Sequence, residues 1–161
     1  MRRKSSSRYG LKFKFSLPQV EFARCALLLV KHNETEDNIK EAAALLQDIQ
    51  VETYGSMDRR EKVEFILYQM RIMIKMKDQI RLLMVSKKIN KKNIEHEGLE
   101  DLKIKFYSYL VFYHNHKNNY HEVSKCYKII YDTYISSDEL QQSLNQEIDF
   151  GFSLDKANLL E

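Results

Sequence analysis

The sequence predicts an all-α protein, a right-handed superhelix (solenoid) of stacked antiparallel helix pairs. Three observations lead to this fold. Only four glycines and one proline occur in 161 residues, too few for the many tight turns of a β protein. Apolar residues recur three and four positions apart along most of the chain, as on one face of a helix. Similar helix starts at Ile39, Ile80 and Tyr120 repeat about every 40 residues, a period typical of helix-pair repeats.

The first 17 residues are predicted to form a basic flexible arm, because Met1–Ser16 carries basic side chains and no acidic one. Pro18 follows, and the first turn of a helix tolerates proline. The predicted solenoid occupies residues 18–135, and its first helix continues to about His32. After the polar turn Asn33–Asn38, the apolar spacing predicts a second helix with one buried face, formed by Ile39, Ala42, Ala43, Leu46 and Ile49.

The stretch Val51–Met57, VETYGSM, is predicted to be a corner between two helix pairs. Gly55 is expected to end the second segment, because glycine reaches positive φ without strain. Ser56 or Asp58 is expected to cap a third helix that extends from about Met57 to Met76. A ligand-binding loop is the alternative, but it needs more glycine or converging polar groups. We therefore expect Gly55→Val to lower the thermal stability.

The third helix is predicted to be enclosed, because Phe65, Ile72 and Met76 lie outside its main apolar stripe. Asp78 is expected to cap a fourth helix that ends near Lys87 and Lys88, where cations suit the helix dipole. The polar tract that follows, Asn90–Gly98, is predicted to be a loop.

A fifth helix is predicted from Leu99 to Tyr113, with an interruption at Asn118 and Asn119. The sixth is expected to bury one face, formed by Tyr120, Val123, Tyr127, Ile130 and Tyr134. Residues 136–161 are predicted to hold a partial further helix and a poorly patterned tail. The partial helix is suggested by the spacing of Leu140, Leu144 and Ile148.

The sequence predicts no catalytic residue, no cofactor and no metal ligand. His114 and His116 would point to opposite sides of a helix, and Cys25 and Cys126 are far apart in the chain. No phosphate-binding glycine loop or nucleophile elbow occurs. The longest apolar run, Ala26–Val30, is too short to span a membrane. We therefore expect neither an enzyme nor a membrane protein, and no small-molecule substrate.

The charge balance makes a nucleic-acid partner unlikely on composition alone, because 26 basic and 23 acidic residues give a net charge of +3. The lysine-rich run Ser86–Lys92 nevertheless has two interpretations. It is either the solvated end of a helix or a patch for an acidic partner or a nuclear import receptor.

Three stretches closely resemble the family of the non-ATPase regulatory subunit 12 of the 26S proteasome. They are EAAALLQDIQVETYGSM (Glu41–Met57), REKVEFILYQMR (Arg60–Arg71) and SKKIN (Ser86–Asn90). The resemblance extends more loosely over residues 20–133 and implies TPR-like, PCI-type N-terminal repeats. Residues 1–16 match nothing in the family, and its carboxy-terminal PCI domain has no counterpart here. The chain is therefore expected to be a fragment or a shortened gene model.

The resemblance implies a non-catalytic scaffold in the lid of the proteasome regulatory particle, acting in ubiquitin-dependent protein degradation in the cytoplasm and nucleus. Its expected partners are other lid subunits. The alternatives are a helical-repeat RNA-binding module and a signalosome-type subunit. The residues that carry the family signature, expected to have structural roles, are Val51, Glu52, Thr53, Tyr54, Gly55, Ser56, Glu64, Phe65, Asp78, Arg81, Lys87 and Lys88.

Overall fold

The computed structural model describes residues 18–137, which contain seven α-helices and one 3-10 turn but no strand. The prediction of an all-α fold is confirmed. The predictions for the arm at residues 1–17 and for a helix beyond residue 137 lie outside the described residues. The helices are α1 (Gln19–Thr35), α2 (Ile39–Gln47), α3 (Arg59–Lys75), α4 (Gln79–Ser86), α5 (Lys91–Ile94), α6 (Glu100–His116) and α7 (Tyr120–Ser136).

Six of these helices form three pairs: α1 with α2, α3 with α4, and α6 with α7. Three residues separate the helices of each pair, and the two helices pack side by side, so they run antiparallel. The first helices begin at residues 19, 59 and 100, and the second helices begin at residues 39, 79 and 120. The predicted repeat is therefore confirmed, while the right-handed superhelix stays a prediction.

The same turn joins the helices of every pair. Its second residue, Asp37, Lys77 or Asn118, has a φ of 59°, 57° or 54°. The next residue donates its backbone N–H to the carbonyl five positions earlier, which satisfies one of the last carbonyls of the first helix. These hydrogen bonds run from Asn38 to Asn33, from Asp78 to Met73 and from Asn119 to His114, at 2.8, 3.0 and 2.9 Å.

The residue after the left-handed position caps the second helix of two pairs. The side chain of Asp78 accepts a hydrogen bond from the N–H of Arg81 at 2.9 Å, so the predicted cap of α4 is confirmed. Asn119 accepts from Glu122 at 3.4 Å. The turn therefore ends one helix and starts the next within three residues.

Helix α3 is enclosed on several sides, because α2, α4 and α6 all pack against it. Phe65 and Ile72, which lie outside its main apolar stripe, are both buried. The predicted enclosure of this helix is confirmed.

The small residues Ala42 and Ala43 of α2 are also buried, and they allow a neighbouring helix to approach closely.

The corner at Val51–Met57 differs from the prediction. Helix α2 ends at Gln47, and Val51–Thr53 forms a 3-10 turn in which Tyr54 donates to the carbonyl of Val51. Gly55 lacks a left-handed φ, and a Cβ added to it would meet nothing within 4 Å. The expectation that Gly55 ends the segment with positive φ is therefore wrong. Because the φ of Gly55 suits any residue and a side chain there would meet no atom, we do not expect Gly55→Val to destabilise the fold.

Asp58, and not Ser56, caps α3, because its carboxylate accepts from the N–H of Arg60 at 2.9 Å. The predicted loop Asn90–Gly98 is also wrong in part, since it contains α5. Ile94 of that short helix is fully buried, which fixes the segment against the core. Ile94 is the single apolar residue in a polar tract, so no helical spacing of apolar residues predicts this segment.

Two glycines offer a direct test of where backbone freedom is required. Gly98 has a φ of 84°, a region in which a side chain costs about 1–2 kcal/mol. We expect Gly98→Val to lower the free energy of unfolding by at least this amount, and Gly55→Val to change it by less than about 0.5 kcal/mol. Urea denaturation of both variants is the measurement. Equal losses at the two positions would contradict the assignment.

Candidate interaction surface

The signature residues of the corner meet those at the end of α4. The carboxylate of Glu52 lies 3.2 Å from the ammonium group of Lys88, and both side chains are half-buried. Val51 is buried in the core beside them. The sequence stretches VETYGSM and SKKIN therefore form one contact between the first and second helix pairs.

The remaining corner residues hold the turn or lie at its surface. The hydroxyl of Thr53 donates to the carbonyl of Gln50 at 2.8 Å. The ring of Tyr54 packs against the core, and burial together with the charge of Glu52 raises the pKa of its phenol. Gly55 and Ser56 are exposed. No ligand-binding arrangement of polar groups results, so the interpretation as a structural corner is favoured.

Gln69, a residue that the sequence analysis did not single out, supports this corner from α3. Its side chain is buried, and its amide nitrogen donates to the carbonyls of Leu46 and Ile49 at 3.1 and 3.0 Å. These carbonyls lie near the end of α2, where backbone acceptors lose their helical partners. In the sequence, the available signal for this role was a single polar residue beside Met70, within the apolar stripe that α3 buries.

Helices α1 and α3 are tied together at both ends by charged groups. At one end, the guanidinium of Arg24 binds both carboxylate oxygens of Glu61 at 2.6 and 2.9 Å. At the other, the largely buried carboxylate of Glu34 lies 3.0 Å from Arg71 and 2.5 Å from Lys75. These pairs fix the first two helix pairs relative to each other.

Tyr68 completes the cluster around Glu34 by donating its hydroxyl to the carboxylate. Burial raises the pKa of Glu34, but the hydrogen bonds from Lys75 and Tyr68 and the charge of Arg71 outweigh it. The pKa of Glu34 is therefore lowered. Burial and the same carboxylate raise the pKa of Tyr68 to about 12.

A third cluster joins α3 to the start of α6. Arg60 donates to Glu64 at 3.0 Å, to the carbonyl of Gly98 at 2.8 Å and to Asp101 at 2.6 Å. Glu64, a signature residue, thus orients the arginine that links two helix pairs. Phe65 beside it is buried in the core.

At the start of α4, the side chains of Asp78 and Arg81 form an ion pair at 2.9 Å. Lys87 ends that helix with its side chain exposed. Of the signature residues, Gly55, Ser56 and Lys87 have no internal role in the described part of the chain. The others stabilise single helices or hold adjacent pairs together.

The second helices of the three pairs are exposed at equivalent positions. Ile80 and Met84, one turn apart on α4, are 76% and 64% exposed. Counting from the residue before each second helix, the equivalent positions of the other pairs are also exposed. We call the set the second-helix face; its members are Lys40, Ala44, Ile80, Met84, His121 and Lys125.

In this set the large apolar side chains lie on the second of the three pairs, and the other two pairs contribute basic ones. Exposed apolar side chains are typical of a protein-binding surface, because a large exposed apolar residue is stabilised when a partner covers it. No pattern in the sequence predicts this face. Ile80, predicted only as the start of a helix, is the most exposed of the large apolar residues that the structure describes.

Helix α7 also differs from the prediction of one tyrosine-lined core face. Tyr120 and Tyr127 are exposed, and the side chains that α7 buries are Cys126 and Thr133. The exposed tyrosines therefore lie on a different side of α7 from its buried residues.

Within residues 18–137, no group of three or more His, Cys, Asp or Glu side chains is placed to hold a metal ion. His114 packs edge-on against the ring of Tyr113, with centroids 5.1 Å apart. None of the described helices has the length and apolar character needed to cross a membrane.

An open cleft of about 270 Å³ lies where α7 meets the residues before and within α6. It is lined by Glu95, Lys103, Tyr107, Ile129, Asp132, Thr133 and Ser136.

The stacked helix pairs define a class of protein, the helical-repeat proteins. The particular family follows from comparison with known proteins. Residues 19–139 match the family described as PSMD12/CSN4, N-terminal, and the chain belongs to that family. The resemblance drawn from the three sequence stretches is thereby confirmed.

Among the relatives, the 26S proteasome non-ATPase regulatory subunit 12 of Dictyostelium discoideum is 44% identical over 113 residues, which are 70% of this chain. The 26S proteasome regulatory subunit RPN5 of Saccharomyces cerevisiae is 43% identical over 122 residues, or 75% of the chain. The non-ATPase regulatory subunit 12 homolog B of Arabidopsis thaliana is 35% identical over 137 residues, or 71% of the chain. The matched regions are 25%, 27% and 31% of these relatives, so the chain spans less than a third of each.

The role of Gln69 can be tested by removing its donor while keeping its volume. Gln69→Leu leaves the carbonyls of Leu46 and Ile49 buried without that partner, which costs about 1–3 kcal/mol. Urea denaturation should show this loss. The matched control is Gln47→Leu, at an exposed position of α2. If both variants are equally stable, the corner does not depend on Gln69.

The buried carboxylate of Glu34 predicts a pH dependence. A lowered pKa in the folded state stabilises the fold above the unfolded value of about 4.3, and this contribution is lost as the pH falls through the folded pKa. We therefore expect the wild type to lose more stability between pH 6 and about pH 3 than Glu34→Gln does. The measurement is the free energy of unfolding against pH.

Glu36→Gln is the control for that titration, because Glu36 is exposed just after α1. The free energy of unfolding of Glu36→Gln should depend on pH as that of the wild type does. A Glu34→Gln curve that also parallels the wild type would contradict the assignment of the cluster.

Proposed function

We propose that the chain is a non-catalytic scaffold, the solenoid segment of a subunit in the lid of the 26S proteasome regulatory particle. It acts in ubiquitin-dependent protein degradation, in the cytoplasm and nucleus, through contacts with other lid subunits. The observation that carries the proposal is the family match over residues 19–139, together with relatives that are 26S proteasome regulatory subunits. The names of two of those relatives contain the term non-ATPase.

The geometry supports a scaffold because adjacent helix pairs are fixed to one another. The Glu52–Lys88 pair, the Gln69 hydrogen bonds and the Glu34 cluster join the first pair to the second. The Arg60 cluster joins the second pair to the third. A stack held in this way presents its exposed faces at set positions, which lowers the ordering cost of binding.

The second-helix face is the proposed site of contact. Ile80 and Met84 are its large apolar residues, and covering one such side chain contributes about 1.5–3 kcal/mol. Lys40 of the first pair and Lys125 of the third pair are its exposed lysines. A partner with an apolar patch and an acidic rim would fit this distribution.

A signalosome-type subunit is the second candidate, because the description of the matching family names both PSMD12 and CSN4. RNA binding has less support. One lysine of the basic run, Lys88, is already paired with Glu52. The net charge of +3 also remains small for nucleic-acid binding.

Affinity purification of the tagged full chain from cells, followed by mass spectrometry, tests the proposal. We expect lid subunits to be recovered with the wild type, and their recovery to fall at least tenfold with the Ile80→Asp, Met84→Asp double variant. Both positions are exposed, so the melting temperature should change little. Lys105→Asp, at an exposed position of α6, is the control and should retain the partners.

Each result separates the candidates. Recovery of signalosome subunits alone would favour the second candidate, and RNA without protein partners would favour the RNA-binding module. A chain recovered only as a free monomer would contradict the scaffold. Unchanged recovery with the double variant would show that the lid is contacted through another face.

A further inference from the structure

The cleft between α6 and α7 is lined by charged residues that have no ion-pair partner. Glu95, Lys103 and Asp132 all line it. None of the ion pairs within residues 18–137 includes any of the three. Charged groups in contact with water need no partner, so these residues alone do not indicate a binding site.

Tyr107 supplies the second observation. The residue lines the same cleft and is only 5% exposed, yet its hydroxyl takes part in none of the hydrogen bonds of the described residues. Burial and the charge of Glu95 raise the pKa of its phenol, so the hydroxyl lies within the field of that carboxylate. A buried hydroxyl without a partner is unfavourable, and a ligand in the cleft that hydrogen-bonds to it removes this cost.

The corresponding place one helix pair earlier is closed by a lysine of the chain itself. There, the connection between the first two pairs supplies Glu52, and Lys88 just after α4 lies 3.2 Å from its carboxylate. Counted from the residue that precedes each second helix, Ile129 of α7 takes the place of Lys88. The connection between the second and third pairs therefore supplies a carboxylate, Glu95, to a cleft that has an apolar residue at the position of the lysine.

We propose that this cleft is a binding site for an arginine side chain of a partner protein. A guanidinium group has five N–H donors, enough to bind the carboxylates of Glu95 and Asp132 and to donate to the hydroxyl of Tyr107. Its apolar stem would pack against Ile129. The described lining holds two carboxylates and one ammonium group, so one added cation makes it neutral.

The size of the cleft favours a single side chain over a separate small molecule. Its volume of about 270 Å³ is below the roughly 300–1,000 Å³ of pockets that enclose drug-sized ligands. Arginine is enriched among the residues that fill pockets at the centre of protein interfaces. Its planar fork binds carboxylates in pairs, which the point charge of lysine does not do. The cleft does not include His121 or Lys125, so it is distinct from the second-helix face.

NMR titration of the full chain with short peptides tests the site. The probe is a glycyl-arginyl-glycine peptide with both ends blocked. Its control carries citrulline, which keeps the shape of arginine but lacks the charge. We expect the arginine peptide to shift the backbone amide signals of residues 129–136 and to bind at least about tenfold more tightly than the citrulline peptide.

Three variants test the role of the lining. Glu95→Gln should weaken binding of the arginine peptide about tenfold, since it removes a charged acceptor. Tyr107→Phe, which removes only the hydroxyl, should weaken it about threefold. Lys103→Gln should strengthen it, because Lys103 is the one cation that the structure describes in the lining. Unchanged signals outside the cleft show that each variant is folded.

Glu97→Gln is the matched control, because Glu97 is exposed near Glu95 but does not line the cleft. Its affinity for the arginine peptide should equal that of the wild type. The proposal is overturned by equal binding of the two peptides, by no shift with either, or by an affinity that Glu95→Gln leaves unchanged. Binding of acetylglycine at these amides in place of the arginine peptide would also overturn it, since Lys103 would then recognise a carboxylate. The titration requires no lid subunit, so its failure leaves the proposed function standing.

Discussion

Helix α3 is the element on which the described structure depends. It packs against α2, α4 and α6, and therefore it is the only first helix with a neighbouring pair on both sides within residues 18–137. Its apolar side chains fill the core, while its polar ones reach outwards to bind the adjacent pairs. Gln69 contacts the end of α2, the Arg71 and Lys75 cations bind Glu34 of α1, and Arg60 binds Asp101 of α6. Apolar burial supplies the free energy of stacking, and these polar contacts fix how the pairs are placed.

The fold could be predicted in large part from the sequence because its signals are local. Apolar residues at helical spacing and the repeat of about 40 residues located the three pairs, and Asp78 was identified as a cap from its position. The hairpin turns were less visible. Their left-handed residues are Asp37, Lys77 and Asn118, none of which is glycine. The one left-handed glycine among the described residues, Gly98, lies outside the hairpins and precedes α6.

The errors came from features that only tertiary contacts determine. Gly55 was expected to have a positive φ, but the 3-10 turn and Gln69 already hold the corner. Ile94 looked like part of a polar loop, and its burial follows from packing against distant residues. Tyr127 has the spacing of a core residue, yet it is exposed, and the residues that α7 buries, Cys126 and Thr133, lie on another side of the helix. Spacing shows that residues share a face; it does not show which element covers that face.

The same distinction applies to two sets of residues: those that identify the family, and those of the surface proposed to bind a partner. The residues through which the resemblance is detected, such as Val51, Phe65 and Asp78, lie in the core or cap helices. They identify a fold, because replacing them would disturb the packing of every chain that shares it. The second-helix face is under no such constraint: at equivalent positions the three pairs carry Lys40, Ile80 and His121. A repeat whose buried positions are constrained by packing, but whose exposed positions are free to differ, can keep one architecture while each pair offers a partner a different surface. The large apolar residues of that face, Ile80 and Met84, are left exposed by the fold, and this is the physical reason to look for the partner there.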